Sequence, residues 1–547
     1  MLLLDKTART YNLLSYVRQK VASAFFAGKI SLAMVCNTVL LSTTVLMKIL
    51  LCLIIPVCLC GKTLTCSAGP ATALPRSTPE EQGISSAAIL EFIKAADRQV
   101  DTMNSFMLVR HGHVVAEAWW APYDSGTRHE LYSLSKSFTS TAIGMLISDG
   151  RLSLDDRVLS FFPEDAPAEP GENLQAMRVR DLLCMSTGHH EDEVKKFSFV
   201  SSERLTRQFL AMPVAHKPGT HFVYNTAATY MLSAIAQKIT GKTLLEFLGP
   251  RLFDPLGIQE PLWAASPQGI SLGGFGLSIR TEDIARLGQL YLQKGQWQGR
   301  QLAPASWIEA ATARQTSNGS DPESDWEQGY GYQFWRCRHG LYRGDGAFGQ
   351  FCIVMPEQDA VVAITSGTRN MGSVMNLVWD NLLPAMQQKR LKANPETHKR
   401  LKTAIAGLAV HPAQGAGNST LASHISGRRF VFPANSQNIE AISLECTNGS
   451  VTLLARVSGI DHRIDCSSQW SRERFGFGRF PAQPAAATGA WASESNFTAK
   501  ICFYETPFYI TLNLAFSGDQ VVLDCEHNVS FGPTRQPQLT GSAAAGG

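Results

Sequence analysis

Ser133-Leu134-Ser135-Lys136 is the one Ser-x-x-Lys tetrad in this 547-residue chain. Its setting, Glu130 to Ser140, runs into the apolar stretch Thr141 to Ile147 and stops at Asp149-Gly150. That predicts a helix of about four turns with Ser133 in its first turn. Side chains three residues apart share a helix face, so Lys136 stands one turn above the Ser133 hydroxyl. A serine hydroxyl is a weak nucleophile until a neighbouring base takes its proton. A lysine serves as that base when burial holds its amine neutral, and a helix N-terminus favours an anion developing nearby. Any long chain can contain the tetrad by chance, so its weight rests on its partners.

Tyr224 is the second candidate. It lies in Pro218-Gly-Thr-His-Phe-Val-Tyr-Asn225, ahead of a helical run from Ala227 to Thr240 that stops at Gly241. A loop entering a helix can aim the phenol into a cleft, where a tyrosinate beside a lysine acts as general base for Ser133 or for a deacylating water. Packing against Phe222 is the plainer reading. The third candidate is Gly344-Asp-Gly-Ala-Phe-Gly-Gln350, which leads into a strong strand. A glycine-rich edge strand lets a substrate approach the backbone. The N–H groups of Gly346, Ala347 or Phe348 can then form half of an oxyanion hole, with the Ser133 N–H as the other half. A bulge in the sheet is the alternative. Gly269-Ile-Ser271-Leu-Gly273 spells a nucleophile elbow, but that motif must follow a buried strand and open a helix. Trp263 to Gln268 does not read as a strand, and Ser271 is set aside.

Elements must hold these groups. A helix is expected over Ser85–Ala96, then a hairpin of Ser105–Arg110 and His113–Trp120 around His111-Gly112. Helical patterns dominate 130–310. Strands return at Tyr330–Cys337, Gly346–Met355 and Ala360–Thr365, and Val374–Met386 closes as a helix. Two early strands and three late ones predict an α+β fold: one antiparallel sheet assembled from both ends, flanked by helices, with a mainly helical lobe alongside. The Ser133 helix opens that lobe, which puts its N-terminus in the cleft between lobe and sheet. Residues 389–425 are polar and rich in small residues, like a linker. From 426 to 540 short apolar stretches alternate with turns, the pattern of a small all-β module, and 541–547 reads as a loose tail.

Spread in order over residues 79–386, further motifs surround the tetrad. They are Gly150-Arg-Leu-Ser-Leu-Asp-Asp156 with Phe161-Phe-Pro163, Arg180-Asp-Leu-Leu-Cys-Met-Ser-Thr-Gly188, Gly273-Gly-Phe-Gly-Leu277, Thr281-Glu-Asp-Ile-Ala285, Leu290-Tyr-Leu-Gln-Lys-Gly295 and Trp307. With Ser133 and Lys136 they make this region resemble the serine β-lactamase and penicillin-binding superfamily, especially class C β-lactamases and related esterases and amide hydrolases. The resemblance implies that Ser133 is acylated, that Lys136 assists proton transfer and that Tyr224 acts with it. Two departures stand out. The family's Tyr-x-Asn is here Tyr224-Asn225-Thr226, which shifts Asn225 by one position and leaves it as a candidate substrate contact. The edge strand carries neither Lys nor His between Gly344 and Gln350, so the cation that holds a substrate carboxylate is missing there, with Arg343 as the substitute at hand. Asp155 and Asp156 read as turn residues. His189 and His190 follow a turn where relatives line the cleft, which makes them candidate substrate contacts.

Composition limits the rest. Hydrophobic residues make up 44% and the formal charge is +3, with no basic stripe for nucleic acid. From Met47 a short positive start precedes an apolar core, and Ala71-Thr-Ala73 offers a cleavage site before Leu74. Residues 1–73 are therefore expected to be an upstream extension plus signal peptide, or a membrane anchor. Either places the body, 74–388 onward, outside the cytoplasm, periplasmic or secreted. Of 12 cysteines, four lie after residue 440, where disulfides are expected to be permitted. No Cys or His cluster has metal-ligand spacing, and no cofactor is implied. The expected function is an exported serine hydrolase cleaving an ester or amide in a small or peptide-like substrate through a Ser133 acyl-enzyme. A β-lactamase or D-alanyl peptidase is the first alternative, and a catalytically silent cell-envelope binding protein is the second.

Overall fold

The structure, a computed structural model, describes residues 73–191, 202–447 and 450–544. The leader and anchor expected over 1–73 lie outside these residues, apart from Ala73. No described helix is long and apolar enough to cross a membrane.

The chain first forms helix α1 (Ser86–Gln99), started by Ser85, whose side chain accepts a hydrogen bond from the Ala88 N–H at 3.2 Å. Strands β1 (Met103–Arg110) and β2 (His113–Trp119) follow as a hairpin. Its two turn residues, His111 and Gly112, both have positive φ, the geometry that matches the twist of a tight hairpin. The sheet is completed by β3 (Trp335–Arg336), β4 (Tyr342–Gly346), β5 (Gln350–Met355) and β6 (Ala360–Ser366) in the antiparallel order β2-β1-β6-β5-β4-β3. It is indeed built from both ends of the domain. The late half, however, differs from expectation. Tyr330–Cys337 supplies only two strand residues. The strand expected over Gly346–Met355 is broken by a turn at Ala347–Gly349, where Phe348 and Gly349 have φ of 68° and 91°.

Strands β1, β4, β5 and β6 of this sheet are buried along their whole length because helices cover both faces. Alternate residues point to opposite faces. Met107 and Val109 therefore join the core of the helical lobe, while Phe106 and Leu108 join the core under α1. The lobe contains α2 (Ser135–Ser148), α3 (Thr226–Thr240) and α4 (Thr281–Leu292), the last packed on the sheet. The closing helix starts at Met371 and passes into a wider π-type turn at Val378.

Residues 389–425 are not a loose linker. Pro395–Ala406 is a helix packed on α1 through buried Leu401, and Leu408 to Val410 hydrogen-bonds to both sides of Ala121. Beyond it, ten antiparallel strands form one sheet. Its terminal strands, Ile460–Asp465 and Ser471–Phe477, are consecutive in the chain and pack together, so the sheet nearly closes on itself. The last strand, Leu539–Ala543, takes up residues expected as tail. All seven described cysteines are free thiols, including the four after residue 440 where the sequence would permit disulfides. The fold is α+β, with an antiparallel sheet flanked by helices and a C-terminal all-β domain.

The β domain is docked on the rest by main-chain and side-chain bonds. The Glu130 N–H donates to Glu505 O at 2.9 Å, Tyr123 Oη to Thr506 O at 2.9 Å, and Asn528 Nδ2 to Gly367 O at 3.0 Å.

Candidate active site

Helix α2 is rich in Ser and Thr yet buried throughout its first three turns. It tolerates that because its hydroxyls have acceptors. Ser137 donates to Gln333 O (3.1 Å), Thr139 to Gly273 O (2.8 Å) and Ser140 to Tyr332 O (2.7 Å). These bonds tie the helix to the surrounding loops and set the direction of its N-terminus. Ser133 itself lies in a 3-10 turn, Tyr132–Leu134, directly ahead of α2. It is partly exposed, whereas Lys136 is 1% exposed.

Lys136 Nζ stands 3.0 Å from Ser133 Oγ, 2.9 Å from Gly274 O and 3.3 Å from Thr226 Oγ1. The Gly273-Gly274 pair makes that approach feasible. A Cβ on Gly274 would lie 2.8 Å from Thr226 Cγ2 and 3.5 Å from Lys136 Nζ, and Gly273 has φ of 67° with Thr229 O 2.9 Å from any Cβ. The Tyr224 ring lies beside the same nitrogen, 4.9 Å from its centroid, and stacks on Trp335 at 5.3 Å and 22°. The fold therefore brings Ser133, Lys136 and Tyr224 together.

The second wall is the β4–β5 corner. Gly344 and Gly346 face the Ser133 turn. A Cβ on Gly344 would meet Leu134 Cδ1 at 2.4 Å. One on Gly346 would meet Leu131 O at 2.0 Å and stand 3.1 Å from the Ser133 nitrogen. Only glycine lets the strand edge come this close. Ala347, the next residue, is partly exposed beside Ser133's turn. The Gly346 backbone thus stands beside the Ser133 N–H, with Ala347 the next residue along the same corner.

Phe348, expected to act through its N–H, packs its ring into the β domain, 5.6 Å from Phe508 and 4.7 Å from Phe531, and is a core residue there. Three expected side-chain contacts go elsewhere. Asn225 is fully buried as the N-cap of α3, accepting from the Ala228 N–H at 3.2 Å. His189 is likewise fully buried, 2.8 Å from Thr187 Oγ1 and against the Phe209 ring, and so does not line the cleft. Arg343 is 0% exposed and held by Asp345 (2.9 Å) and Asp325 O (2.8 Å), and it cannot serve as the missing cation. Ser271 sits in a bridge to Ala265, with its carbonyl accepting from Ser233.

Sequence reasoning missed Thr226, Trp335 and Gln333. Thr226 follows Asn225 and occupies the third position of the Tyr-x-Asn pattern, a substitution visible in the letters. Trp335 and Gln333 left no local signal. Gln333 has φ of 66° and donates from Nε2 to Leu183 O at 2.8 Å while accepting from Thr229 Oγ1 at 2.7 Å.

Behind the nucleophile turn, His129 donates from Nδ1 to Glu130 O (3.0 Å) and accepts at Nε2 from Asn104 (3.0 Å), the pattern of a neutral ring. Burial lowers its pKa to about 4. The neighbouring Glu130 carboxyl is pushed up to about 7, again by burial.

A family model described as Beta-lactamase matches residues 96–383. The 6-aminohexanoate-dimer hydrolase of Paenarthrobacter ureafaciens is 26% identical over 280 residues, which cover 47% of this chain and 71% of that protein. Protein flp of Staphylococcus aureus (strain COL) is 26% identical over 164 residues, 28% of this chain and 33% of that one, so only a third of its length is spanned. Among solved structures, the octameric penicillin-binding protein homologue from Pyrococcus abyssi aligns with a TM-score of 0.45 and 17% identity, covering 84% of this chain and 100% of that chain. The matched span holds the Ser133 turn, Lys136, Tyr224 and the β4–β5 corner within one domain, and the chain belongs to the β-lactamase family as a serine hydrolase.

Proposed function

We propose that the protein hydrolyses an ester or amide bond by acyl transfer through Ser133. The observation that carries this is the buried Lys136 Nζ, 3.0 Å from Ser133 Oγ. Ser133 Oγ attacks the carbonyl carbon as its proton passes to Lys136, with Tyr224 beside the amine to relay that proton to the leaving group. The oxyanion is held by the N–H groups of Ser133 and Ala347. Water then attacks the acyl carbon, the same groups take its proton, and the acid leaves. No cofactor enters the steps.

Substrates without a carboxylate at the β4 edge fit best. Gly344 leaves no cation on the face toward Ser133, and Arg343 is bound to Asp345. That disfavours β-lactams and D-alanyl peptides, which carry such a carboxylate. The relative named for 6-aminohexanoate dimer supports an amide as one substrate class. Export remains part of the proposal, on the leader reading from Met47.

Intact-mass spectrometry of residues 74–547 after a fluorophosphonate probe tests the reading. One adduct on wild type and none on Ser133→Ala is expected. An adduct that persists in Ser133→Ala, or no adduct on wild type, would sink it. Nitrocefin turnover faster than turnover of simple esters would favour the β-lactamase alternative.

A further inference from the structure

Phe531 is the most exposed large hydrophobic side chain among the described residues, at 77%. It belongs to the β domain, in the loop between its last two strands. A frayed loop would explain such exposure, but this loop is held to the hydrolase domain on either side of Phe531. Asn528 Nδ2 donates to Gly367 O at 3.0 Å, and Arg369 Nη2 donates to Gly532 O at 3.1 Å. Gly367 has no room for a Cβ, which would lie 2.3 Å from Pro507 O and 2.6 Å from Asn528 Nδ2. The loop is therefore seated against the hydrolase domain with its aromatic ring outward.

That ring packs on the side chains of two residues that neighbour Ser133 and Ala347 in the chain. Phe531 lies 4.7 Å from the Phe348 ring and 5.9 Å from the Tyr132 ring. Tyr132 precedes Ser133, and Phe348 follows Ala347. Both have positive φ, 48° and 68°, in a region that bulky residues seldom occupy. Their side chains are held by Phe508 and Phe531, at 6.4 and 5.9 Å for Tyr132 and 5.6 and 4.7 Å for Phe348. Ala347 and Tyr132 pack against the β-domain core, and Phe348 is part of it. Phe531 thus touches the ring before Ser133 and the ring after Ala347, the two residues whose N–H groups are proposed to hold the oxyanion.

We propose that Phe531 is a substrate-binding residue supplied by the C-terminal β domain, and that it takes an apolar acyl chain or aromatic ring attached to the scissile carbonyl. The inference rests on the Ser133 reading above. A phenyl ring offers dispersion and area burial to an apolar group and nothing to a carboxylate, in keeping with the cation-free edge at Gly344. It also assigns the β domain a role in specificity.

The test is a series of p-nitrophenyl esters, from acetate to octanoate, on wild type, Phe531→Ala and Phe531→Trp. In wild type kcat/KM should rise with chain length. In Phe531→Ala the octanoate value should fall roughly tenfold more than the acetate value, through KM more than kcat, while Phe531→Trp restores the rise. Diisopropyl fluorophosphate should still add once per molecule to each variant. An equal loss on every ester would mean a merely structural role and overturn the proposal. So would an identical chain-length profile in wild type and Phe531→Ala. Wild type that takes no phosphonate label overturns the Ser133 reading and the subsite with it, a result distinct from labelled protein with an unaltered profile.

Discussion

The two largest antiparallel sheets among the described residues solve burial differently. In the six-stranded sheet, β1, β5 and β6 are buried at every position and their residues are shared between two cores. In the ten-stranded sheet, strands such as Ser450–Val457 and Tyr509–Ser517 alternate between the interior and the outside and feed a single core. A sheet covered on both faces is fixed from both sides, and its edge can hold a backbone within ångströms of a nucleophile. A sheet that closes on itself needs no such cover, and its outside and loops are available for docking, which is how Phe508 and Phe531 reach the active site.

Equivalent insults to the two sheets should therefore have unequal consequences. Gly346→Val forces a Cβ to within 2.0 Å of Leu131 O. It should push β4 away from the Ser133 turn and lower kcat/KM by at least about a hundredfold, the scale of losing one oxyanion donor. Near-wild-type turnover would mean that the corner plays no part in catalysis. Phe508→Ala acts at the join. It should lower stability by about 3 kcal/mol in a denaturant titration and kcat by roughly tenfold, because Tyr132 and Phe348 lose a ring that holds them. Gly489→Ala strikes the interior of the second sheet, where a Cβ meets Phe497 Cζ at 2.5 Å and Cys466 Cβ at 2.7 Å. A cost of about 1–3 kcal/mol is expected, with kcat/KM within about threefold of wild type. A larger loss of activity would show that the two regions are coupled beyond the Phe508–Phe531 contact.

The smallest effect concerns pH. Burial raises the Glu130 carboxyl from 4.5 to about 7. The folded protein keeps a proton that the unfolded chain gives up above about 4.5, so stability falls as pH rises from there and the loss is complete above about 7. His129 works in the other direction. With its pKa lowered from 6.5 to about 4, it removes stability as pH falls through that range. Glu130→Gln cancels only the alkaline loss. Relative to wild type, the variant should gain on the order of 2 kcal/mol between pH 4 and pH 8, read by chemical unfolding at both values. A constant difference would place Glu130 in a wetter environment.

Much of the site was legible because its chemistry is local. Ser133 and Lys136 are three residues apart, and a helix brings such residues together without help. Tyr224 was legible from a helix start after a loop. The β4–β5 corner was not, because a strand and a three-residue turn there differ only in φ at Phe348 and Gly349. A phenylalanine adopts that conformation only where rings from a distant part of the chain hold it. Arg343 read as a free cation because the strand sequence does not reveal that its alternation turns the guanidinium toward Asp345. Asn225 and His189 read as cleft residues for a similar reason, since polar types near a motif look the same whether they cap a helix or meet a substrate.

What the sequence determined by itself was the reactive pair, the helix that aligns it, the hairpin and the α+β plan, all set by spacing over a few residues and by apolar periodicity. What only the tertiary structure decided was which backbone faces Ser133, which charges are consumed in pairs, and that the C-terminal β domain packs Phe508 and Phe531 on Tyr132, the residue before the nucleophile. Those facts depend on packing between segments far apart in the chain, and side-chain type alone carries no information about the partner it will meet.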